Sequence, residues 1–119
     1  MVQVKDGNIK NRHCIIVDDL VHSGGTLLSC AAALKAGGAK AVSLYVTHAI
    51  LEQDAWKKFE KAEPGIRHFW VTDTNPSMAK KLRGVKPFVV LSIAPLLATV
   101  CEEIEAQNSG GGTRRLSHL

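Results

Sequence analysis

The residues best suited to chemistry lie between positions 18 and 26. Two carboxylates, Asp18 and Asp19, come first, and a glycine-rich turn follows them after a short spacer. The turn consists of His22, Ser23, Gly24, Gly25 and Thr26. Adjacent glycines let a backbone turn tightly and approach a ligand closely. Successive amide N–H groups at the start of a helix bind an anion, so this turn predicts a phosphate-binding loop beside an acidic pair.

The acidic pair and the loop suit the two ends of one sugar phosphate. Two carboxylates repel a phosphate placed directly against them, but they bind ribose hydroxyls, either directly or through a divalent cation. A purely structural interpretation is that Ser23 or Thr26 caps a helix and the glycines serve only the turn. The order of acid pair, spacer and Ser-Gly-Gly-Thr favours the ligand site. His48 is expected at the edge of this site, or as a structural histidine.

Four short apolar runs have to position these residues. They span positions 14–17, 42–46, 68–71 and 88–91. Each is apolar nearly throughout, which is typical of parallel strands covered on both faces. Helical patterns lie between the runs, so the alternation predicts an α/β fold, a parallel sheet with helices on both faces. Ligands of such sheets bind beyond the carboxyl ends of the strands, where Asp18 and Asp19 lie.

The helical patterns also set the expected domain boundary. A first stripe begins at Leu27, Trp56 and Phe59 mark a second helix, and Asn75 or Ser77 caps a third. The last stripe comprises Ile93, Leu96, Leu97, Val100, Cys101 and Ile104. We expect one domain over residues 1–106, beginning with a hairpin arm near residues 2–9, and a disordered polar tail over residues 107–119.

Composition narrows the partners and the cellular compartment expected for the protein. The chain has 119 residues, of which 45% are hydrophobic, and that is enough for one core. The net charge of +4 comes from scattered lysines and arginines, so we expect no nucleic-acid partner. Signal-peptide and membrane-span patterns are absent, so we expect no membrane partner. Cys14, Cys30 and Cys101 lie in apolar stretches and are expected as buried, reduced thiols in the cytoplasm.

The segment from position 18 to position 26 resembles the ribose-phosphate signature that type I phosphoribosyltransferases share with phosphoribosyl pyrophosphate synthetases. Further segments look like the carboxyl-terminal half of the synthetases. They lie at 36–40, 45–48, 69–76 and 90–94. The Ser-Gly-Gly-Thr loop is most similar to the plant-type (class II) variant. The resemblance covers roughly residues 2 to 105.

This resemblance implies a type I phosphoribosyltransferase-like fold and a set of roles. Asp18 and Asp19 would engage the ribose hydroxyls and Mg²⁺, and residues 22–26 would bind the phosphate of ribose 5-phosphate. The family transfers the pyrophosphoryl group of ATP to the C1 hydroxyl of ribose 5-phosphate. Its amino-terminal half and a basic mobile loop supply most of the ATP site. The chain is therefore expected to be the ribose-5-phosphate half, inactive alone and binding ATP only with a partner domain or subunit.

Two alternatives stay open at this point. One is a non-catalytic binding or regulatory subunit that forms homo- or hetero-oligomers with full-length synthetases. The other is a small phosphoribosyltransferase that uses phosphoribosyl pyrophosphate. Many purine phosphoribosyltransferases have an aspartate where this chain has His22, which weakens the second alternative.

Overall fold

The computed structural model describes residues 7–63 and 65–110 of the chain. Within them, strands and helices alternate strictly. The elements are β1 (His13–Val21), α1 (Gly25–Ala36), β2 (Ala41–Ala49), α2 (Lys57–Glu60), β3 (Phe69–Thr72), α3 (Pro76–Leu82), β4 (Phe88–Leu91) and α4 (Ala94–Gly110).

The four strands form one parallel sheet in the order β1-β2-β3-β4. One row of the register joins Val17, Tyr45, Trp70 and Val89 across all four strands. The predicted parallel α/β class is confirmed. Every apolar run forms a strand, although β1 and β2 extend further than their runs. Because the strands are parallel, their carboxyl ends all lie at the same end of the sheet.

The core lies between one face of this sheet and helices α1, α2 and α3. Strands that are consecutive in the chain are neighbours in the sheet, so right-handed crossovers carry each connecting helix to the same face. Three aromatic rings pack together at the centre of the core. The centroid of Phe69 lies 4.8 Å from that of Phe59 and 4.9 Å from that of Phe88. The surrounding buried side chains include Leu27, Ala31, Val42, Leu44, Val46, Val71, Met78 and Leu82.

The opposite face of the sheet is only partly covered by the described residues. On β1, Ile15 is 52% exposed and Val17 is 71% exposed. The expectation that each strand is covered on both faces therefore does not hold for β1. Helix α4 forms as predicted, but Leu96 and Leu97 remain 49% and 52% exposed. Its apolar stripe does not join the core formed by the first three helices.

The last helix extends past the predicted boundary. Helix α4 continues through Gly110, and the domain end at residue 106 stays a prediction. Most of the predicted amino-terminal arm and residues 111–119 of the predicted tail lie outside the described residues. All three cysteines are free, but none is fully buried: Cys14 and Cys30 are partly buried, and Cys101 is exposed because α4 is exposed. No helix in the described ranges is both long and apolar enough to cross a membrane.

The aromatic centre predicts a large loss of stability for one substitution. Phe69→Ala removes a fully buried ring and leaves a cavity, so the free energy of unfolding should fall by about 3–5 kcal/mol. Val17→Ala, at an exposed position, should change it by less than about 0.5 kcal/mol. Urea unfolding of both variants measures the difference. Equal midpoints for the two variants would contradict this account of the core.

Candidate functional site

The glycine-rich loop follows the end of β1 directly. Val21 is buried, and its carbonyl accepts a hydrogen bond of 2.9 Å from the Ile50 N–H, which fixes the strand end. The chain then turns through Gly24, whose φ of 80° and ψ of −2° lie in the left-handed region. Residues with a Cβ are strained there, so the turn favours glycine. Helix α1 begins at the next residue, Gly25.

Gly24 is also required by packing. A Cβ built on Gly24 would lie 2.4 Å from ring carbons of Phe59, which is a core residue only 2% exposed. The ring occupies the space behind the loop. The turn therefore rests on α2 and on the core.

Gly25, unlike Gly24, is not required by the packing or by the backbone conformation. A Cβ at Gly25 would meet nothing closer than Ser23 Oγ, at 4.0 Å, and its φ lies outside the left-handed region. Neither packing nor backbone conformation requires a glycine at this position. A glycine that the fold does not need suits a place where a ligand approaches the backbone closely.

The first amides of α1 are available to an anion. The Leu28 N–H donates to the Gly24 carbonyl at 3.0 Å, but among the described residues no hydrogen bond uses the N–H of Gly25, Thr26 or Leu27. The N-cap residue is Gly24, and no side chain accepts a capping hydrogen bond from the first turn of α1. The first turn also has no acidic residue. Free N–H groups and the positive end of the helix dipole bind phosphate groups. The capping alternative for Ser23 and Thr26 is not supported.

The acidic pair lies on the same strand, before the loop. Asp18 and Asp19 are both exposed, and Asp18 pairs with Val46 in the register. The Asp19 N–H donates to Asp18 Oδ1 at 2.8 Å. One oxygen of Asp18 is therefore engaged locally, while Asp19 makes no side-chain hydrogen bond among the described residues. His22, Ser23 and Thr26 are exposed as well, so every polar side chain of the predicted site faces solvent.

The donor set suits a cation that is shared with a ligand. The described residues contain no group of three or more histidine, cysteine, aspartate or glutamate side chains that could hold a metal ion. Asp18 and Asp19 offer hard carboxylate oxygens. Mg²⁺ is commonly bound by one or two carboxylates, with water and substrate oxygens completing its coordination. Consecutive residues of a strand point to opposite faces of the sheet, so the donor set suits Mg²⁺ held by one of these carboxylates, with ligand and water oxygens completing its coordination.

His48 belongs to a hydrogen-bonded network at the ends of β2 and β3. Its Nδ1 lies 2.6 Å from Thr74 Oγ1, and Thr74 donates to the Thr47 carbonyl at 3.1 Å. Thr72 donates to the same carbonyl. In the register His48 lies opposite Leu20 of β1, one residue past the acidic pair. These contacts give His48 a structural role, and its place at the edge of the site stays a prediction.

The remaining strand-end polar residues hold the fold together. Asn75 Oδ1 accepts the Met78 N–H at 3.4 Å, which confirms Asn75 as the cap of α3. Asp73 Oδ1 accepts the Ile93 N–H at 3.0 Å and so fixes the turn between β4 and α4. This backbone hydrogen bond holds the pKa of Asp73 below its usual value.

Two residues of α2 contact the loop and were missed by sequence reasoning. Phe59 supports Gly24, and Lys58 Nζ donates to the Ser23 carbonyl at 3.4 Å. The sequence marks Phe59 only as part of an amphipathic helix. Because the loop lies about 35 residues earlier in the chain, no local pattern could reveal these contacts.

Fold and site together define a parallel α/β domain with an exposed glycine-rich loop at the end of its first strand. The family model described as the phosphoribosyl synthetase-associated domain matches residues 2–113, and the chain belongs to this family.

Several known proteins are similar to the chain. It is 42% identical over 107 residues to ribose-phosphate pyrophosphokinase 3, chloroplastic, of Arabidopsis thaliana, an alignment that covers 86% of this chain and 26% of the relative. Ribose-phosphate pyrophosphokinase of Coxiella burnetii is 38% identical and covers 87% of this chain. In that match the chain spans 31% of the relative's length.

A solved structure agrees with these relatives. The phosphoribosylpyrophosphate synthetase of Mycobacterium smegmatis superposes with a TM-score of 0.73 at 33% identity. The match covers 86% of this chain and 33% of the synthetase chain. The chain thus spans between a quarter and a third of the length of these relatives.

The two demands on Gly24 can be separated with a matched glycine. Gly84 has a φ of +77°, but a Cβ there meets nothing within 4 Å. Gly84→Ala should therefore lower the free energy of unfolding by backbone strain alone, roughly 1–2 kcal/mol. Gly24→Ala adds a clash with Phe59 and should lower it by about 1–3 kcal/mol more. Urea unfolding compares the variants, and equal losses would show that Phe59 does not constrain the loop.

Proposed function

We propose that this chain is the ribose-5-phosphate-binding part of a ribose-phosphate pyrophosphokinase. The observation that carries the proposal is the glycine-rich loop, because the first N–H groups of α1 have no hydrogen-bond partner among the described residues. The acidic pair supports it, because exposed carboxylates precede the loop on the same strand. The family match is consistent with both features. Nothing in the part of the chain that the structure describes favours a phosphoribosyltransferase or a purely regulatory subunit.

Each group has a defined task in this proposal. The backbone amides and hydroxyls of residues 22–26 hold the 5-phosphate, and Asp18 and Asp19 accept hydrogen bonds from the ribose hydroxyls. Holding the sugar at both ends orients its C1 hydroxyl toward the incoming pyrophosphoryl group. Catalysis of such transfers rests mainly on positioning and charge stabilisation. Mg²⁺ bound at the acidic pair would neutralise charge on the phosphates.

ATP, in this proposal, is bound with groups from another domain or subunit. The chain spans about a quarter of the Arabidopsis relative, so a complete synthetase contains much more chain. Exposed apolar side chains on the sheet and on α4 favour association with such a partner, in a homo- or hetero-oligomer of synthetase subunits. They include Ile15, Val17, Leu91, Leu96 and Leu97. The three free thiols suit a reducing compartment, and we place the protein in the cytoplasm.

Calorimetric titration with ribose 5-phosphate, with and without Mg²⁺, tests the proposal. The chain should bind ribose 5-phosphate weakly and more tightly with Mg²⁺. The double variant Asp18→Asn/Asp19→Asn should lose at least about tenfold in affinity, since charged hydrogen-bond acceptors are replaced. The control Glu102→Gln/Glu105→Gln removes two exposed carboxylates from α4 and should bind as the original chain does.

Absence of saturable binding at millimolar ribose 5-phosphate would contradict the proposed site, as would equal affinity in the two double variants. The same preparation, supplied with ATP and Mg²⁺, should form negligible phosphoribosyl pyrophosphate. Measurable synthesis by the chain alone would show that no partner is needed.

Gly25 supplies an independent prediction for the loop. Gly25→Ala should leave the free energy of unfolding unchanged or raise it by about 0.4–1 kcal/mol, because neither packing nor φ opposes alanine there. Affinity for ribose 5-phosphate should nevertheless fall about tenfold, because the new methyl group occupies the space where the phosphate approaches. Urea unfolding and calorimetry on one preparation measure both quantities. Undiminished affinity would remove the loop backbone from the site.

A further inference from the structure

Lys58 places a positive charge against the phosphate loop from a different part of the chain. Its Nζ donates a hydrogen bond of 3.4 Å to the Ser23 carbonyl, across 35 residues of sequence. Ser23 is the residue immediately before Gly24, at the bend of the loop. The Lys58 side chain is exposed, so its ammonium group remains open to solvent and to a ligand.

The backbone of Lys58 is held in place by its neighbour. Phe59 is buried and packs directly against Gly24, so the two residues of α2 contact two consecutive residues of the loop. A lysine on an exposed short helix would ordinarily sample many positions. Here the adjacent ring fixes the base of the side chain beside the loop, which reduces the freedom lost when the ammonium group binds a ligand.

The charge of Lys58 is not neutralised within the described residues. The preceding lysine differs, since Lys57 Nζ forms an ion pair with Asp54 Oδ2 at 3.2 Å and lies 5.6 Å from the centre of the Trp56 ring. Among residues 7–63 and 65–110, the uncharged Ser23 carbonyl is the only partner of the Lys58 side chain. An ammonium group has three N–H donors, so Lys58 can keep this bond and donate others.

We infer that Lys58 is a phosphate-binding residue, which donates from the side of α2 to the phosphomonoester held by the loop amides. The inference rests on the proposed function and deepens it by assigning a cation to the phosphate end of the site. The acid pair and the lysine then impose opposite preferences at the two ends of the ligand. Asp18 and Asp19 favour hydroxyls, and Lys58 favours the dianionic phosphate.

Amide NMR titration of the full chain can test this role with two probes, inorganic phosphate and ribose 5-phosphate. The signals of Gly24, Gly25 and Thr26 report on the loop. Lys58→Gln should raise the Kd of both probes about three- to tenfold, as expected for a partly exposed charged hydrogen bond. Lys58→Arg, which keeps the charge, should restore most of the affinity. Lys57→Gln is the matched control and should leave both Kd values unchanged, because its ammonium group is paired with Asp54.

The outcomes separate this inference from the proposed function. Equal Kd values for Lys58→Gln and Lys57→Gln would overturn the role of Lys58, even if ribose 5-phosphate binds. A Lys58-dependent affinity for inorganic phosphate without affinity for ribose 5-phosphate would support Lys58 and reject the proposed function. If Lys58→Gln shifts the loop signals before any probe is added, and Lys58→Arg fails to restore affinity, the lysine only supports Ser23. A chain that binds neither probe would overturn both.

Discussion

The contact between Phe59 and Gly24 is the constraint on which the rest of the site depends. The ring can occupy its position only because residue 24 lacks a side chain, and the left-handed turn at residue 24 keeps its support only while the ring is present. The same ring packs against Phe69 at the centre of the core. The loop conformation is therefore coupled to the packing of the core.

Hydrogen bonding distinguishes the end of β1 from the other strand ends. At β2 and β3, the side chains of His48, Thr72 and Thr74 are engaged in a shared network. Asp73 joins the ends of β3 and β4 by accepting the Ile93 N–H. At the end of β1, by contrast, amides and carboxylate oxygens remain without partners among the described residues. These groups are exposed and are not used by the fold, so they remain available to a ligand.

Local patterns in the sequence revealed much of this arrangement. The four apolar runs, the cap at Asn75 and the loop after Asp19 each follow from residues that are close in the chain. Burial on both faces of the strands was expected from the continuous apolar runs, but Val17 is largely exposed, because the strand order brings the first three helices to one face. The helical pattern of α2 could not reveal that Lys58 and Phe59 meet the loop. Such contacts depend on the register of β1 and β2, which no local pattern specifies.

Because β1 lies at the edge of the described sheet, the acidic pair also affects how this edge meets other chains. Only one side of β1 is paired in the described sheet, and the strand carries the apolar run Cys14-Ile15-Ile16-Val17. An unpaired apolar edge is a template for intermolecular strand addition, and charged residues next to such a run oppose it. Asp18 and Asp19 follow the run directly, so their charges oppose strand addition at this edge whether or not a ligand is bound. Selection against aggregation would therefore preserve these two carboxylates even in a chain that had lost its substrate.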